Sequence, residues 1–549
     1  MKNPSLTKSF YNYPLLIKQL LFSPLSCNPD QEIVSGLNSK YNYKTFEKRI
    51  NSLASGLKSI GINKGDTIGV MDWDCHRYLE CFFAIPMMGA ILHTINVRLS
   101  EQQILYTINH ADDDILLVNK DFIPLINKIY SQFNRPIQIV ILNDSSKESE
   151  KIHFQSNALE YEDIIFKNNS KFDFEDFDEN TLATKFYTTG TTGKPKGVSY
   201  SHRQLVLHTL GFITGATTSN SQHRFHNEDV YMPITPMFHV HGWGFPYIAT
   251  LLGVKQVYPG KYEPSLLLEL IKKEKVTFSH CVPTILQMLI NENKKKQFDL
   301  SKLKLIIGGS AMSKSLALEA TKQGINVTSA YGLSETCPFL TIAQIPSKNK
   351  LADENTIIDL KCKTGKPGPL VELRVVDENL NDIPRDKKTT GEIIVRAPWL
   401  TNGYIKDEVS SMKLWEGGYM HTGDVGYIDE TGSLIITDRI KDVIKSGGEW
   451  ISSLELEDIA SKCDGVKEVA AIGVPDQKWG ERPILIVSLD GKVKKSDILF
   501  NVKNKIKQHV DAGIISKWAM PDKIEFVSEI DKTSVGKINK KLLREKFKT

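Results

Sequence analysis

The densest run of chemistry-capable residues is Tyr187-Thr188-Thr189-Gly190-Thr191-Thr192-Gly193-Lys194-Pro195-Lys196-Gly197-Val198, with four threonines, three glycines and two lysines. Glycine admits backbone angles closed to other residues and lets the chain approach a ligand closely. Threonine hydroxyls and successive backbone N–H groups can then wrap phosphate oxygens, while lysine supplies positive charge. The run reads as a triphosphate grip. It is not a Walker A loop, G-x-x-x-x-G-K-[ST]. Gly190 and Gly193 stand too close together, and Pro195 follows Lys194 where a magnesium-binding hydroxyl belongs.

Such a loop must be held by ordered elements, and the chain alternates strand and helix on both sides of it. Apolar Ile50, Leu53, Leu57 and Ile60 fall at helical spacing and end at Gly61. Thr67–Met71, Ile91–Ile95, Ile115–Val118 and Ile137–Leu142 read as strands between helical segments. After the grip come Asp229–Pro233, Val254–Tyr258, Thr277–Cys281, Leu305–Ile307 and Val327–Ala330, with helices predicted at Phe245–Leu252 and Pro264–Glu274. This alternation predicts an α/β fold of mostly parallel strands. From Val371 to Val395 shorter β segments and turns predict an antiparallel or barrel-like subdomain. Beyond about residue 440, a small α+β unit is expected, with Ile498, Val502, Ile506 and Val510 forming one apolar helix stripe.

A chain of 549 residues exceeds one simple core, so two or more domains are expected. With 41% hydrophobic and 24% charged residues, the composition is that of an ordinary globular protein. A net charge of +4 over this length gives no reason to invoke nucleic acid. Seven scattered cysteines lack C-x-x-C or Cys/His ligand spacing, which fits a reducing cytoplasm and argues against a disulfide framework. The patch around Pro14–Leu21 lacks the long apolar core and cleavage site of a signal peptide. The longest apolar stretch, Phe245–Val254, is too short to span a bilayer, so no transmembrane segment is expected.

Four further motifs follow the grip: Tyr331-Gly332-Leu333-Ser334-Glu335-Thr336, His421-Thr422-Gly423-Asp424, Asp438-Arg439-Ile440-Lys441-Asp442 and Lys532-Thr533-Ser534-Val535-Gly536-Lys537. In this order the set resembles the adenylate-forming superfamily of acyl-CoA synthetases, luciferases and peptide-synthetase adenylation domains. Pro236-Met237-Phe238-His239-Val240-His241-Gly242-Trp243 and the run from Ile444 to Ser453 are similar to its medium- and long-chain fatty-acyl-CoA synthetases. The resemblance implies an N-terminal domain, residues 1–440, of two α/β sheets plus a distorted β-barrel. A small mobile C-terminal domain, 441–549, completes it. It also implies two steps: a fatty-acid carboxylate attacks the α-phosphorus of ATP, giving acyl-AMP and pyrophosphate, and then the thiol of coenzyme A displaces AMP.

What the resemblance implies residue by residue is a divided site. Thr188, Thr189, Gly190, Thr191, Thr192, Gly193 and Lys196 hold phosphates, with Thr191 and Glu335 at Mg²⁺, which prefers carboxylate, phosphate and water oxygens. Gly309, Ser310, Ala330, Tyr331, Gly332 and Ser334 surround the nucleotide, Tyr331 offering its ring to adenine. Asp424 accepts from the ribose hydroxyls, and Arg439 grips ribose or phosphate oxygens. Lys537 neutralises charge between carboxylate and α-phosphate. Lys441 is the hinge and a nucleotide contact, Lys445 and Trp450 face the nucleotide in one conformation, and Gly447 and Gly448 leave room for the pantetheine of CoA. His239 lies near the carboxylate and Trp243 gates the acyl tunnel. Related fatty-acid enzymes dimerise through the N-terminal domain, so a homodimer joins the expectations. An aryl-, short-chain-acyl- or amino-acid-activating ligase, a luciferase-like oxygenase and a catalytically silent binding protein stay open at this point.

Overall fold

The computed structural model describes residues 9–37, 39–143, 154, 157–168, 171–188, 194–218, 224–349, 351–387, 389–446, 449–491, 493–533 and 536–547. Two large sheets dominate. One has seven strands in the order 159–160, 138–142, 115–119, 67–71, 91–94, 182–188, 196–201, parallel up to the last pair, which is an antiparallel hairpin. The other has nine strands in the order 366–367, 339–342, 326–332, 304–307, 278–281, 230–233, 255–258, 32–35, 39–42, parallel through its centre and antiparallel at both margins.

The strands read as apolar runs because helices cover both faces of the sheets. Thr67–Met71 and Ile115–Asn119 are buried at every position. Tyr43–Ser59 shows how the covering helices arise. The Asn42 side chain accepts from the Thr45 N–H at its start, and Phe46, Ile50, Leu53 and Leu57 bury one face. One apolar core runs from this helix through both sheets to Phe245 and Phe278, which fixes the sheets relative to each other. The helix Phe245–Leu252 matches its predicted bounds, whereas the helix His202–Thr218 carries no clear periodic signal and was not foreseen.

The barrel-like region is a four-stranded antiparallel sheet, Glu372–Val376, Gly391–Arg396, Met420–Ile428 and Leu434–Arg439. An isolated bridge from Gly365 to Leu434 ties it to the nine-stranded sheet. The C-terminal unit is a five-stranded sheet built from 444–446, 449–451, 466–476, 480–489 and 523–527. Helix Lys495–Asp511 lies against it through buried Ile498, Val502 and Ile506, with Val510 at the edge of the same core. Among the described residues, no helix is long and apolar enough to cross a membrane.

Candidate active site

The parallel strands of the nine-stranded sheet end on one side, and their carboxyl ends carry most of the motif residues. Val230–Pro233 leads to His239, Phe278–Cys281 to Thr284, and Lys304–Ile307 to Gly309 and Ser310, while Tyr331 and Gly332 close Asn326–Gly332. Open α/β sheets hold ligands at such ends, where no crossover helix fills the crevice. A cleft of about 2380 Å³ opens there, lined by Thr188, His239, Trp243, Gly309, Ser310, Ala330, Tyr331, Gly332, Ser334, Glu335, Asp424, Arg439, Lys441 and Lys537.

The two ends of the phosphate-grip run lie on paired antiparallel strands, Leu182–Thr188 with Lys196–Ser201, Thr188 facing Lys196. That differs from a Walker A loop, which leads from a strand into a helix. Thr189, Gly190, Thr191, Thr192 and Gly193 lie outside the described residues. Lys196 Nζ donates to Ser410 Oγ at 2.7 Å, stands 3.6 Å from Asp407, and lies 4.4 Å from the centre of the Tyr404 ring. The Tyr404 hydroxyl donates in turn to Glu335 Oε1 at 2.8 Å. Glu335 has no ion-pair partner among the described residues, so its carboxylate is available to a cation. One carboxylate beside phosphates suits Mg²⁺, which fills its remaining positions with phosphate oxygens and water.

Asp424 and Arg439 face each other on neighbouring strands, with Arg439 Nε 3.0 Å from Asp424 Oδ1. The Tyr331 hydroxyl donates to Asp424 Oδ2 at 2.6 Å. Asp424 is buried, and its charge raises the Arg439 pKa, so the guanidinium stays protonated. Burial first, then Asp424, pushes the Tyr331 phenol up as well. The ring that faces the cleft is therefore anchored through its hydroxyl, an attachment that sequence reasoning did not assign.

Lys537 reaches this centre from the far end of the chain. Its Cε lies 3.4 Å from where a Cβ on Gly309 would stand, and Thr284 Oγ1 donates to the Gly536 carbonyl at 3.5 Å. Burial, reinforced by Arg439 and Lys441 against the pull of Asp424 and Glu335, lowers the Lys537 pKa to about 8. His239 feels Lys537 too. Burial, then Lys537 and Arg98, holds its imidazole near 3, so it is neutral at physiological pH.

Trp243 sits on an unusual backbone. Val240, His241, Gly242, Trp243 and Gly244 have φ of 48°, 55°, 57°, 59° and 75°, a left-handed turn. Left-handed helical geometry costs about 1–2 kcal/mol for each non-glycine residue, so this turn is strained at Val240, His241 and Trp243. It drives the indole against the glycines after Lys304–Ile307. A Cβ on Gly308 would lie 3.1 Å from Trp243 Cη2. Phe212, Phe245, Phe339 and Ile306 continue that apolar wall.

The residues from Lys441 to Trp450 are only partly gathered here. Lys441 lines the cleft, and its pKa is lowered by burial and by Arg439. Lys445 points to solvent in the strand Ile444–Ser446, its backbone N–H donating to Glu481, and it does not line the cleft. Trp450 pairs with Lys445 on the next strand. The Trp450 side chain, Gly447 and Gly448 lie outside the described residues. Tyr404 and Thr284 escaped sequence reasoning because each is a lone residue in a loop or at a helix start, with no motif spacing around it.

The pattern of the AMP-binding enzyme family matches residues 24–405, and that of the AMP-binding enzyme C-terminal domain matches 455–537. A long-chain-fatty-acid–CoA ligase of Thermus thermophilus is 38% identical over 94% of this chain and 93% of its own. A 3-methylmercaptopropionyl-CoA ligase of Ruegeria lacuscaerulensis is 36% identical over 97% and 98%. The crystal structure of the anthranilate CoA ligase AuaEII with anthranoyl-AMP shares the fold, with a TM-score of 0.85 at 21% identity over 98% of both chains. With both patterns in order along the chain and relatives matched over nearly all their length, the chain belongs to the AMP-binding enzyme family, the adenylate-forming superfamily, as an AMP-forming acyl-CoA ligase.

Proposed function

We propose that the protein activates a medium- or long-chain fatty acid as its acyl-adenylate and transfers the acyl group to coenzyme A, with ATP and Mg²⁺. The observation that carries this reading is the convergence of Lys537 with Glu335, Asp424 and Arg439 in one cleft. The substrate carboxylate is its own nucleophile, so protein groups have only to position it and offset charge. Asp424 and Arg439 take the ribose, Tyr331 the adenine, and the 188–196 hairpin the phosphates. Glu335 would hold Mg²⁺, which when bound neutralises the departing pyrophosphate. Lys537, whose Cε lies beside Gly309, meets charge developing at the α-phosphate. Neutral His239 lines the carboxylate end, and the Trp243–Phe245–Phe339 wall favours an alkyl chain over a polar amino acid.

We further assign residues 1–440 and 441–549 to two domains hinged at Lys441. Rotation there withdraws Lys537 after adenylation and brings Gly447 and Gly448 to the pantetheine thiol, with Lys445 and Trp450 moving on the same unit. A homodimer through the N-terminal domain and a cytoplasmic location belong to this reading, tested by sedimentation and cell fractionation. The activity test is pyrophosphate release across saturated fatty acids of graded length, with and without CoA. Acid-dependent pyrophosphate, and acyl-CoA only when CoA is added, is the expected result. Release only with aryl or amino acids would overturn the substrate class.

A further inference from the structure

Directly beneath the Trp243 indole, the apolar wall contains two buried polar atoms that the packing leaves unpaired. His280 and Thr328 are both 0% exposed. His280 Nδ1 and Thr328 Oγ1 have no hydrogen-bond partner among the described residues. Strand register sets them in one row, His280 opposite Ile306 and Ile306 opposite Thr328. Residues paired across parallel strands share a face of the sheet. Ile306 packs in the core with Trp243 and Phe245 and lines the cleft, while its neighbours Leu305 and Ile307 pack in the core on the opposite face. The His280–Ile306–Thr328 row therefore looks toward Trp243.

The His280 ring is clamped. It stacks on Phe245 with centroids 4.3 Å apart and lies 5.2 Å from the Trp243 ring. Its Nε2 is 2.9 Å from the Tyr231 hydroxyl. Burial holds its pKa near 3, so it is neutral. A neutral imidazole has one N–H, and a tyrosine hydroxyl can serve as donor or acceptor. Tyr231 thus lets Nδ1 either donate or accept. A buried polar atom left unpaired costs about 1–3 kcal/mol. A purely alkyl wall has no use for two of them on one face of the sheet, one on either side of the cleft-lining Ile306.

We propose that His280 and Thr328 form a polar subsite at the end of the acyl pocket, and that the preferred acid carries a hydroxyl, oxo or thioether group a few carbons from its carboxylate. The inference rests on the acyl-CoA ligase reading and narrows its substrate. Displacement of the Trp243 indole, already held on a strained turn, opens the path from Gly308 to the row. The subsite then discriminates by what an alkyl chain leaves behind: a plain chain covers both polar atoms without pairing either.

The experiment compares kcat/KM for straight-chain alkanoates with that for their hydroxy, oxo and thioether isosteres, in the wild type and in Thr328→Val, Thr328→Ser and His280→Phe. The expected wild-type preference for the best substituted acid is about tenfold or more over its alkyl isostere, the scale of one or two neutral hydrogen bonds. Thr328→Val, nearly equal in shape, lowers that ratio severalfold, and Thr328→Ser restores it. His280→Phe lowers it as well, with a thermal melt reporting whether its core is intact. A wild-type ratio near or below one, or a ratio unmoved by Thr328→Val, overturns the subsite while leaving the ligase reading standing. Failure of every acid to release pyrophosphate overturns both.

Discussion

The burial of Lys537 makes a quantitative claim about pH. An ordinary lysine, with a pKa near 10.4, loses only a few per cent of its charge between pH 7 and pH 9. At a pKa of about 8, roughly nine-tenths of Lys537 is charged at pH 7 and about one-tenth at pH 9, because each pH unit away from the pKa is a tenfold ratio. The charged form is the one that can neutralise a developing phosphate charge. Adenylation under kcat/KM conditions for ATP, which report the free enzyme, should therefore fall about tenfold over that interval. Bound ATP, being anionic, favours the charged lysine, so the descending limb of kcat should lie higher than that of kcat/KM.

The assay is pyrophosphate release without CoA, at fixed free Mg²⁺ and subsaturating ATP. Lys537→Arg replaces the titrating cation with one that stays charged above pH 12, so its rate is lower but its profile is flat to pH 9. Lys537→Ala should lose about 10²–10³-fold in adenylation, the scale for removing one transition-state donor, while thioester formation from supplied acyl-AMP largely survives. Lys441 is the nearby competitor, since burial also lowers its pKa; Lys441→Met separates the two. A limb near pH 10, a limb retained in Lys537→Arg, or one abolished by Lys441→Met would refute the assignment.

Lys441→Pro should spare acyl-AMP formation and stop acyl-CoA formation, measured as separate half-reactions; unchanged overall turnover would contradict a hinge there. Asp424→Asn keeps the shape but loses the charge facing Arg439 and Tyr331, so calorimetric affinity for a non-hydrolysable acyl-adenylate should weaken about 10–100-fold, as for hydrogen bonds to a charged group. Tyr404→Phe releases Glu335 Oε1 from its hydroxyl donor, and should shift the Mg²⁺ concentration needed for half-maximal pyrophosphate release while leaving the melting temperature nearly unchanged. Gly332→Ala would put a Cβ 1.5 Å from the Pro338 carbonyl oxygen; overpacking costs about 1–3 kcal/mol or more, so a lowered melting temperature and lost adenylation should appear together.

The sequence made legible those parts of the site whose chemistry needs fixed neighbours. Lys537 follows a glycine in a short run, Asp424 and Arg439 each lie in a short contiguous motif, and Glu335 stands four residues after Tyr331; such spacings persist whatever the rest of the chain does. The helix Phe245–Leu252 and the strand Thr67–Met71 were legible for a similar reason, since a local apolar run decides them. What stayed hidden depends on residues far apart in sequence. Tyr404 reaches Glu335 from 69 positions away. His280 and Thr328 come onto one face only because each pairs with Ile306 across the sheet. A histidine and a threonine in short apolar strands read as ordinary core, and nothing local marks their polar atoms as unpaired. The division has a functional meaning: the nucleotide end is written in contiguous motifs because it meets one ligand, whereas the acyl end is written in sheet register, where single substitutions retune it without disturbing a motif. Acyl specificity can therefore change while adenylation stays constant.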